Sequence, residues 1–171
     1  MQIINSTKDD IGKIFILYDA AVAYQKTKFD KHWQGFDAQL IEQEVNENRQ
    51  FKILVDDTIV CIFAITFNDA LIWGERDKAP SVYIHRIVTD PGFHGNNYVK
   101  NITAWAIRYA NKNGKKFVRM DTWGDNQKLI GYYENCGFKF VGLSGILSGE
   151  NLPRHYQGIR LSLFEIDLKN I

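Results

Sequence analysis

Three places in this chain combine residue types that could do chemistry. His85 lies in the run Ser81-Val82-Tyr83-Ile84-His85-Arg86-Ile87-Val88-Thr89, and two-residue alternation puts it on one strand face with Tyr83 and Ile87. An imidazole titrates near neutrality, so it can take or give up a proton at physiological pH. Asn126 and Tyr133 are seven residues apart in a segment that reads as a short helix; the spacing is about two turns and places an amide and a phenol on nearly the same face. The third place is the junction Thr89-Asp90-Pro91-Gly92-Phe93-His94-Gly95-Asn96-Asn97-Tyr98-Val99-Lys100. A turn of small and polar residues that opens into a helix leaves backbone N–H groups pointing outward, where the helix dipole also favours an anion such as phosphate or pyrophosphate.

Each feature also has a plainly structural reading. Tyr133 would serve as a core or rim aromatic, His85 as a hydrogen-bonded core residue, Asn126 as a helix N-cap, and the Gly and Asn residues of the junction as turn formers. His94 reads as a turn residue, and His32 and His155 as surface or pocket-wall residues. The four histidines lack H-x-x-x-H spacing, so no metal is expected. Cys61 and Cys136 form no C-x-x-C pair, which fits a reduced cytosolic setting and argues against a zinc ribbon or redox dithiol.

The elements that must hold these residues follow from periodicity. Ser6 and Thr7 precede Asp9 and Asp10 at capping-box spacing, and Ile11, Ile14, Phe15, Tyr18 and Val22 continue as an amphipathic helix. A second helix is expected over 37–48 with Leu40, Ile41 and Val45 on its buried side. Phe51 to Val55, a turn at Asp56-Asp57-Thr58, and Ile59 to Phe67 read as a hairpin whose second strand is apolar on both faces and therefore central. Asn68 to Pro80 reads as a loop and Ser81 to Thr89 as a strand. Val99, Ile102, Thr103, Ala106, Ile107 and Ala110 then mark a helix that Gly114 ends. Lys116 to Thr122 returns as a strand, which makes a βαβ crossover with parallel strands. A helix over 126–135, capped by Asp125 or Asn126 and stopped by Gly137, precedes a strand from Phe138 to Val141. After a loop from Ser144 to Tyr156, Ile159, Leu161 and Leu163 alternate, with a bulge expected near Phe164. The order is β-α-α-β-β-β-α-β-α-β-β: an α/β (α+β) chain whose mixed sheet is antiparallel in its first half and parallel in its second.

Composition sets the outer bounds. The chain has 171 residues, 45% of them hydrophobic and 24% charged, and 21 basic against 20 acidic side chains leave a net charge of +1. That is enough chain for one domain with a sizeable core and too little charge imbalance for nucleic-acid or polybasic membrane binding. The start of the chain has no basic segment followed by a long apolar one, and the longest apolar run, 59–67, is far short of a membrane span. The chain is therefore expected to be cytoplasmic and complete, a single domain over residues 1–171.

The element order, the strand ending Ile87-Val88-Thr89-Asp90-Pro91, the turn after it and the segment Asn126…Tyr133-Glu134-x-x-Gly137-Phe138 together resemble the GNAT superfamily of acyl-coenzyme-A-dependent N-acetyltransferases. The resemblance covers almost the whole chain and is most specific in the last segment. In the turn, the family pattern of Arg or Gln, two residues, Gly, one residue, then Gly or Ala is met by His94, Gly95, Asn96, Asn97, Tyr98 and Val99. Asn97 thus stands where the family has Gly and Val99 where it has a small residue.

The resemblance implies a direct transfer of acetyl from acetyl-CoA to a primary amine of a small molecule or peptide, through a tetrahedral intermediate and without a covalent enzyme intermediate. It implies that Ile87, Val88 and Thr89 meet the pantetheine arm and that an amide near Ile87 or Val88 polarises the thioester carbonyl. Amides from Gly95 through Lys100, with His94 at the head of the turn, would hold the pyrophosphate, and Asn126 would hydrogen-bond pantetheine. Tyr133 would protonate the departing thiolate and His85 would take the amine's proton, with Glu75 as a distant second candidate for that base. Tyr83 stands where other members carry a Glu. The acceptor pocket implied by the family would draw on Tyr24, Phe29, Trp33, Phe36, Trp73, Trp123 and Tyr156, which suit an aromatic or amphipathic amine and suit ordinary packing equally well. Two other readings stay open: a module of the same fold that binds acyl-CoA without catalysis, and a homodimer formed through exposed rings such as Trp33.

Overall fold

The hairpin expected at Asp56-Asp57 forms in the computed structural model, which describes residues 1–28, 32–124, 126–148 and 157–171. Both turn residues take positive φ, 47° and 60°, which matches the twist of the strands they join. These strands, β2 (Gln50–Val55) and β3 (Thr58–Thr66), are antiparallel, and β1 (Gln2–Asn5) adds to the other edge of β2. The Thr7 amide and hydroxyl both donate to Asp10 Oδ2, at 2.6 and 3.0 Å, and this closed turn leads into α1 (Ile11–Lys26).

The chain divides into two compact units. The first comprises Met1–Ile65 and Arg86–Tyr98. Its core joins Ile14, Leu17 and Tyr18 of α1 to Ile41 and Val45 of α2 (Ala38–Asn46), to Ile62 of β3 and to Val88. Leu40 does not share this buried side as expected. It is 39% exposed, and Glu44 turns inward instead, because Arg49 and Arg86 meet its carboxylate there. Trp33 is not an exposed ring either; it packs with Phe36 on Tyr18, with centroids 6.4 and 4.5 Å from the tyrosine. Val60 to Ile65 are buried without a break, as a strand covered on both faces requires.

The second unit comprises Thr66–His85 and Val99–Ile171. Ser81–Ile84 of β4 (Ser81–Thr89) run parallel to Phe117–Met120 of β5 (Phe117–Trp123), and α4 (Tyr98–Lys112) is the crossover. The segment expected as a loop, 68–80, carries α3 (Ala70–Trp73) and a 3-10 turn (Gly74–Lys78), with Trp73 buried. After α5 (Gln127–Asn135) come β6 (Lys139–Leu143) and β7 (Leu161–Asp167). The last strand pairs antiparallel with both β5 and β6 and so lies between them. Leu161 and Leu163 pack with Trp73 and Tyr83 while Phe164 packs with Tyr133 of α5, so Leu161 to Phe164 are buried in succession; the irregularity expected near Phe164 lies opposite it, on the partner strand between Phe140 and Gly142.

All seven strands belong to one mixed sheet in the order β1-β2-β3-β4-β5-β7-β6, flanked by helices, as the sequence led us to expect. Among the described residues no helix is long and apolar enough to cross a membrane.

Candidate active site

In the second unit His85 sits at the end of the parallel pairing, with its side chain 18% exposed. Its Nε2 is 3.2 Å from Thr66 Oγ1 and 3.7 Å from Asp69 Oδ2. The Thr66 hydroxyl donates to the carbonyl of Asn68 at 3.0 Å, so toward His85 it is an acceptor. In the tautomer that suits this contact, Nε2–H donates to the hydroxyl. Asp121 completes the group: potential ligand atoms of Asp69, His85 and Asp121 lie within 4.8 Å of one another.

The two carboxyls are in an unusual state. Burial, with Asp77 adding repulsion, pushes Asp69 up to about 7; burial, with Asp69 adding repulsion, pushes Asp121 up to about 8. Asp69 Oδ2 and Asp121 Oδ1 are enclosed and make no hydrogen bond, and among the described residues neither carboxyl pairs with a Lys or Arg. One histidine and two carboxylates are also donors a divalent ion could use, a set from three elements that helix spacing could not reveal. Burial, more than mutual repulsion, is what favours the protonated form of both carboxyls.

A chain of hydrogen bonds fixes this cluster from behind. The Asp69 amide donates to Asp77 Oδ1 at 2.7 Å, and the Tyr83 hydroxyl donates to the same oxygen at 2.6 Å. Arg119 donates to the Tyr83 oxygen at 3.0 Å and to the carbonyl of Arg76 at 2.7 Å, while Glu165 Oε2 takes its Nε and Nη2, each at 2.8 Å. Tyr83, at the family's Glu position, thus does positioning work, and burial pushes its phenol up to about 12. Glu75, the second candidate for the base, has a side chain 87% exposed and pairs with Lys78.

Asn126 caps α5: its Oδ1 accepts from the amides of Lys128 and Leu129 at 3.1 and 3.2 Å, which fixes the side chain and leaves its NH2 as the donor. The half-buried ring of Tyr133 lies beside Phe164, with centroids 5.1 Å apart. Burial first, then Tyr132, Cys136 and Asp121, raise its pKa far above that of a free phenol, so it is protonated at every working pH.

Of the other residues singled out, those from Ile87 to Tyr98 belong to the first unit and Val99 and Lys100 to the second. Ile87, Val88 and Thr89 follow Arg86, which takes φ +52° within the strand. A left-handed residue interrupts the ladder and turns neighbouring amides off the pairing direction. Asp90 ties the turn down by accepting from the Gly92 amide at 3.0 Å and pairing with Lys13 at 2.7 Å. His94, Gly95, Asn96 and Asn97 are exposed. Gly95 adopts φ +86° with open space where a Cβ would be, and Asn97 adopts φ +52°, so asparagine supplies the left-handed residue where the family pattern has glycine. Tyr98 begins α4, and Val99 is buried, so its bulk is packed inside rather than presented at the exposed turn. Lys100 is exposed in the first helical turn.

Of the rings proposed for an acceptor pocket, Trp33 and Phe36 pack into the first unit's core and Trp73 and Trp123 into the second's; Tyr24 is 57% exposed. Phe29, Tyr156, His155 and the cap candidate Asp125 lie outside the described residues. The residues that sequence reasoning passed over are Asp69, in a segment read as loop, and the Asp121 carboxyl. A signal for Asp121 existed: the crossover strands pair as far as Ile84 and Met120, and His85 and Asp121 are the next residue on each.

Residues 17–138 match the family model described as the acetyltransferase (GNAT) family. The chain is a member of the GNAT acetyltransferase family. It is 26% identical over 144 residues to an uncharacterized N-acetyltransferase, MJ1207, of Methanocaldococcus jannaschii, covering 79% of this chain and 59% of that protein. The chain spans less than two thirds of the length of the curated relatives it matches. Among solved structures, a GNAT-family acetyltransferase from Listeria monocytogenes superposes with TM-score 0.75 at 21% identity, covering 96% of this chain and 94% of that one. The yncA protein of Salmonella typhimurium, solved with its cofactor acetyl-CoA, superposes with TM-score 0.70 at 13% identity over 98% of this chain and 94% of its own. At these identities the structures speak for the GNAT fold.

Proposed function

We propose that this GNAT protein is an N-acetyltransferase that moves an acetyl group from acetyl-CoA directly to a primary amine of a small molecule or peptide. The observation that supports the reading is the setting of His85, whose Nε2 lies 3.2 Å from Thr66 Oγ1 and 3.7 Å from Asp69 Oδ2. Acetyl-CoA supplies a thioester. His85 takes the proton of the attacking amine, and the Asp69 carboxylate steadies the imidazolium that results. The amides of Ile87 and Val88 polarise the thioester carbonyl, and the exposed turn from His94 to Asn97 with the first-turn amides of Tyr98, Val99 and Lys100 binds the pyrophosphate. Asn126 holds the pantetheine arm through its NH2, and Tyr133 donates to the sulfur as it leaves.

Binding is checked first. At acetyl-CoA about a hundredfold above its Kd, stabilisation of about 2.7 kcal/mol raises Tm by roughly 5–10 °C, and a nucleotide control gives less. For catalysis, His85→Ala lowers kcat/KM by roughly 10²–10⁴-fold, while acetyl-CoA affinity in equilibrium titration stays at the wild-type value. Tyr133→Phe lowers kcat far more than it weakens acetyl-CoA binding. A thermal shift with no transfer over a broad amine panel would instead point to the non-catalytic acyl-CoA-binding module.

A further inference from the structure

Arg86 bears a side chain, yet it sits at φ +52° in the middle of a strand. Such a residue is disfavoured there and persists only where its surroundings impose the conformation. Here they do so through the guanidinium. Glu44, 3% exposed on α2, pairs with Arg86 Nη2 through Oε2 and places Oε1 3.6 Å from Arg49 Nη1. The rings of Phe36 and Tyr18 lie 5.2 and 5.8 Å from the Arg86 guanidinium carbon. Tyr18 is held in turn by its hydroxyl, 3.3 Å from Gln50 Oε1. A buried ion pair is weak as a source of stability, since apolar residues of the same shape often do as well. Its distinctive property is direction.

We propose that Glu44 is a positioning residue for acyl transfer: by gripping Arg86 it holds the left-handed kink of β4 and so aims the amides of Ile87 and Val88. This rests on the reading above, in which those amides polarise the thioester carbonyl. Because Ile41 and Val45 anchor α2 on either side of Glu44 in the core, the helix sets the position of the grip. Glycine would accept the same φ unaided, so the clamp is needed only because residue 86 carries a side chain.

The test uses Glu44→Gln, Arg86→Gly and the pair combined. Glu44→Gln keeps the shape and lowers kcat by about 10–100-fold, with KM for acetyl-CoA within about threefold of wild type, since a misaimed donor approaches the loss seen when one is removed. Adding Arg86→Gly brings kcat back to within about threefold of wild type, because glycine holds the kink without the grip, while Tm stays lowered. A purely stabilising Glu44 would show the reverse, a fall in Tm without a fall in kcat, and that result overturns the proposal, as does a double variant as slow as Glu44→Gln. Should Glu44→Gln fail to fold, Arg86→Gly alone decides: kcat lost with Tm maintained would place the Arg86 side chain itself in the chemistry and overturn the clamp. Crystal structures of wild type and Glu44→Gln keep the two ideas apart, because they need no activity. Residue 86 leaves the left-handed region in the variant if the clamp is right, and staying there overturns it; a wild-type chain with no transferase activity would sink only the functional reading.

Discussion

Asp121→Asn melts at a higher temperature than the wild-type chain, and the gap widens as pH rises from about 4 to about 8. The carboxyl of Asp121 is enclosed, its Oδ1 has no hydrogen-bond partner, and Asp69 repels its charge; together these lift it from an ordinary 3.8 to about 8. Below the unfolded value, folded and unfolded chains both hold the proton and the residue costs nothing. Between about 4 and 8 the unfolded chain releases the proton while the folded chain keeps it, so stability falls with rising pH. Above about 8 both forms are ionised and the full penalty remains. Asparagine has no proton to lose; the shift is worth about 5 kcal/mol at pH 8, the buried amide gives back about 1–3 kcal/mol of it, and the net gain of about 2–4 kcal/mol raises Tm by roughly 4–16 °C in a domain of this length. Calorimetry at three pH values checks this. A gap that does not change with pH would show that the carboxylate finds compensation in the fold. Activity measured on the same samples adds a second answer: a loss exceeding that of His85→Ala would move the base from the imidazole to Asp121.

Glu165→Ala has the opposite sign and a larger size. Arg119 is 3% exposed, and its guanidinium lies 4.6, 4.8 and 5.8 Å from the rings of Phe117, Trp73 and Tyr83. Glu165 is its carboxylate partner at 2.8 Å. Removing it leaves a buried cation without a counter-charge, a loss of about 3–5 kcal/mol, which lowers Tm by roughly 6–20 °C. Glu165→Gln retains an acceptor for the same N–H groups and loses less. The damage also reaches the base, since Arg119, Tyr83, Asp77 and Asp69 are joined in sequence by hydrogen bonds. In the surviving folded fraction the rate therefore falls further for Glu165→Ala than for Glu165→Gln. Equal stabilities for the two variants would mean that the guanidinium is held by the rings and the Arg76 carbonyl alone.

How much of this could be read beforehand differs between elements. The spacing of Val99, Ile102, Ala106 and Ala110 predicts α4, and all four are buried. The Asp56-Asp57 turn, the doubly covered β3 and the parallel crossover were equally legible, because hydrophobic period and turn chemistry act between near neighbours. The same holds for the cap at Asn126 and for the residues that place the chain among GNAT proteins.

Other features depend on residues far apart in the chain. Glu44 faces inward and Leu40 outward because Arg86, 42 positions on, brings a charge to that side of α2. Both faces of β7 are covered, one by Trp73 and Tyr83 and the other by Tyr133 of α5, which a search for alternation misreads as a bulge within the strand. The state of His85 follows from Thr66 and Asp69, and that of Asp121 from enclosure and from Asp69. The sequence by itself thus determined the elements, their order and the family, since those follow from local periodicity and short motifs. Tertiary structure decided which side chains meet His85, which carboxyls keep their protons and why an arginine holds a glycine's backbone angle, because desolvation and charge pairing exist only once distant side chains are brought together.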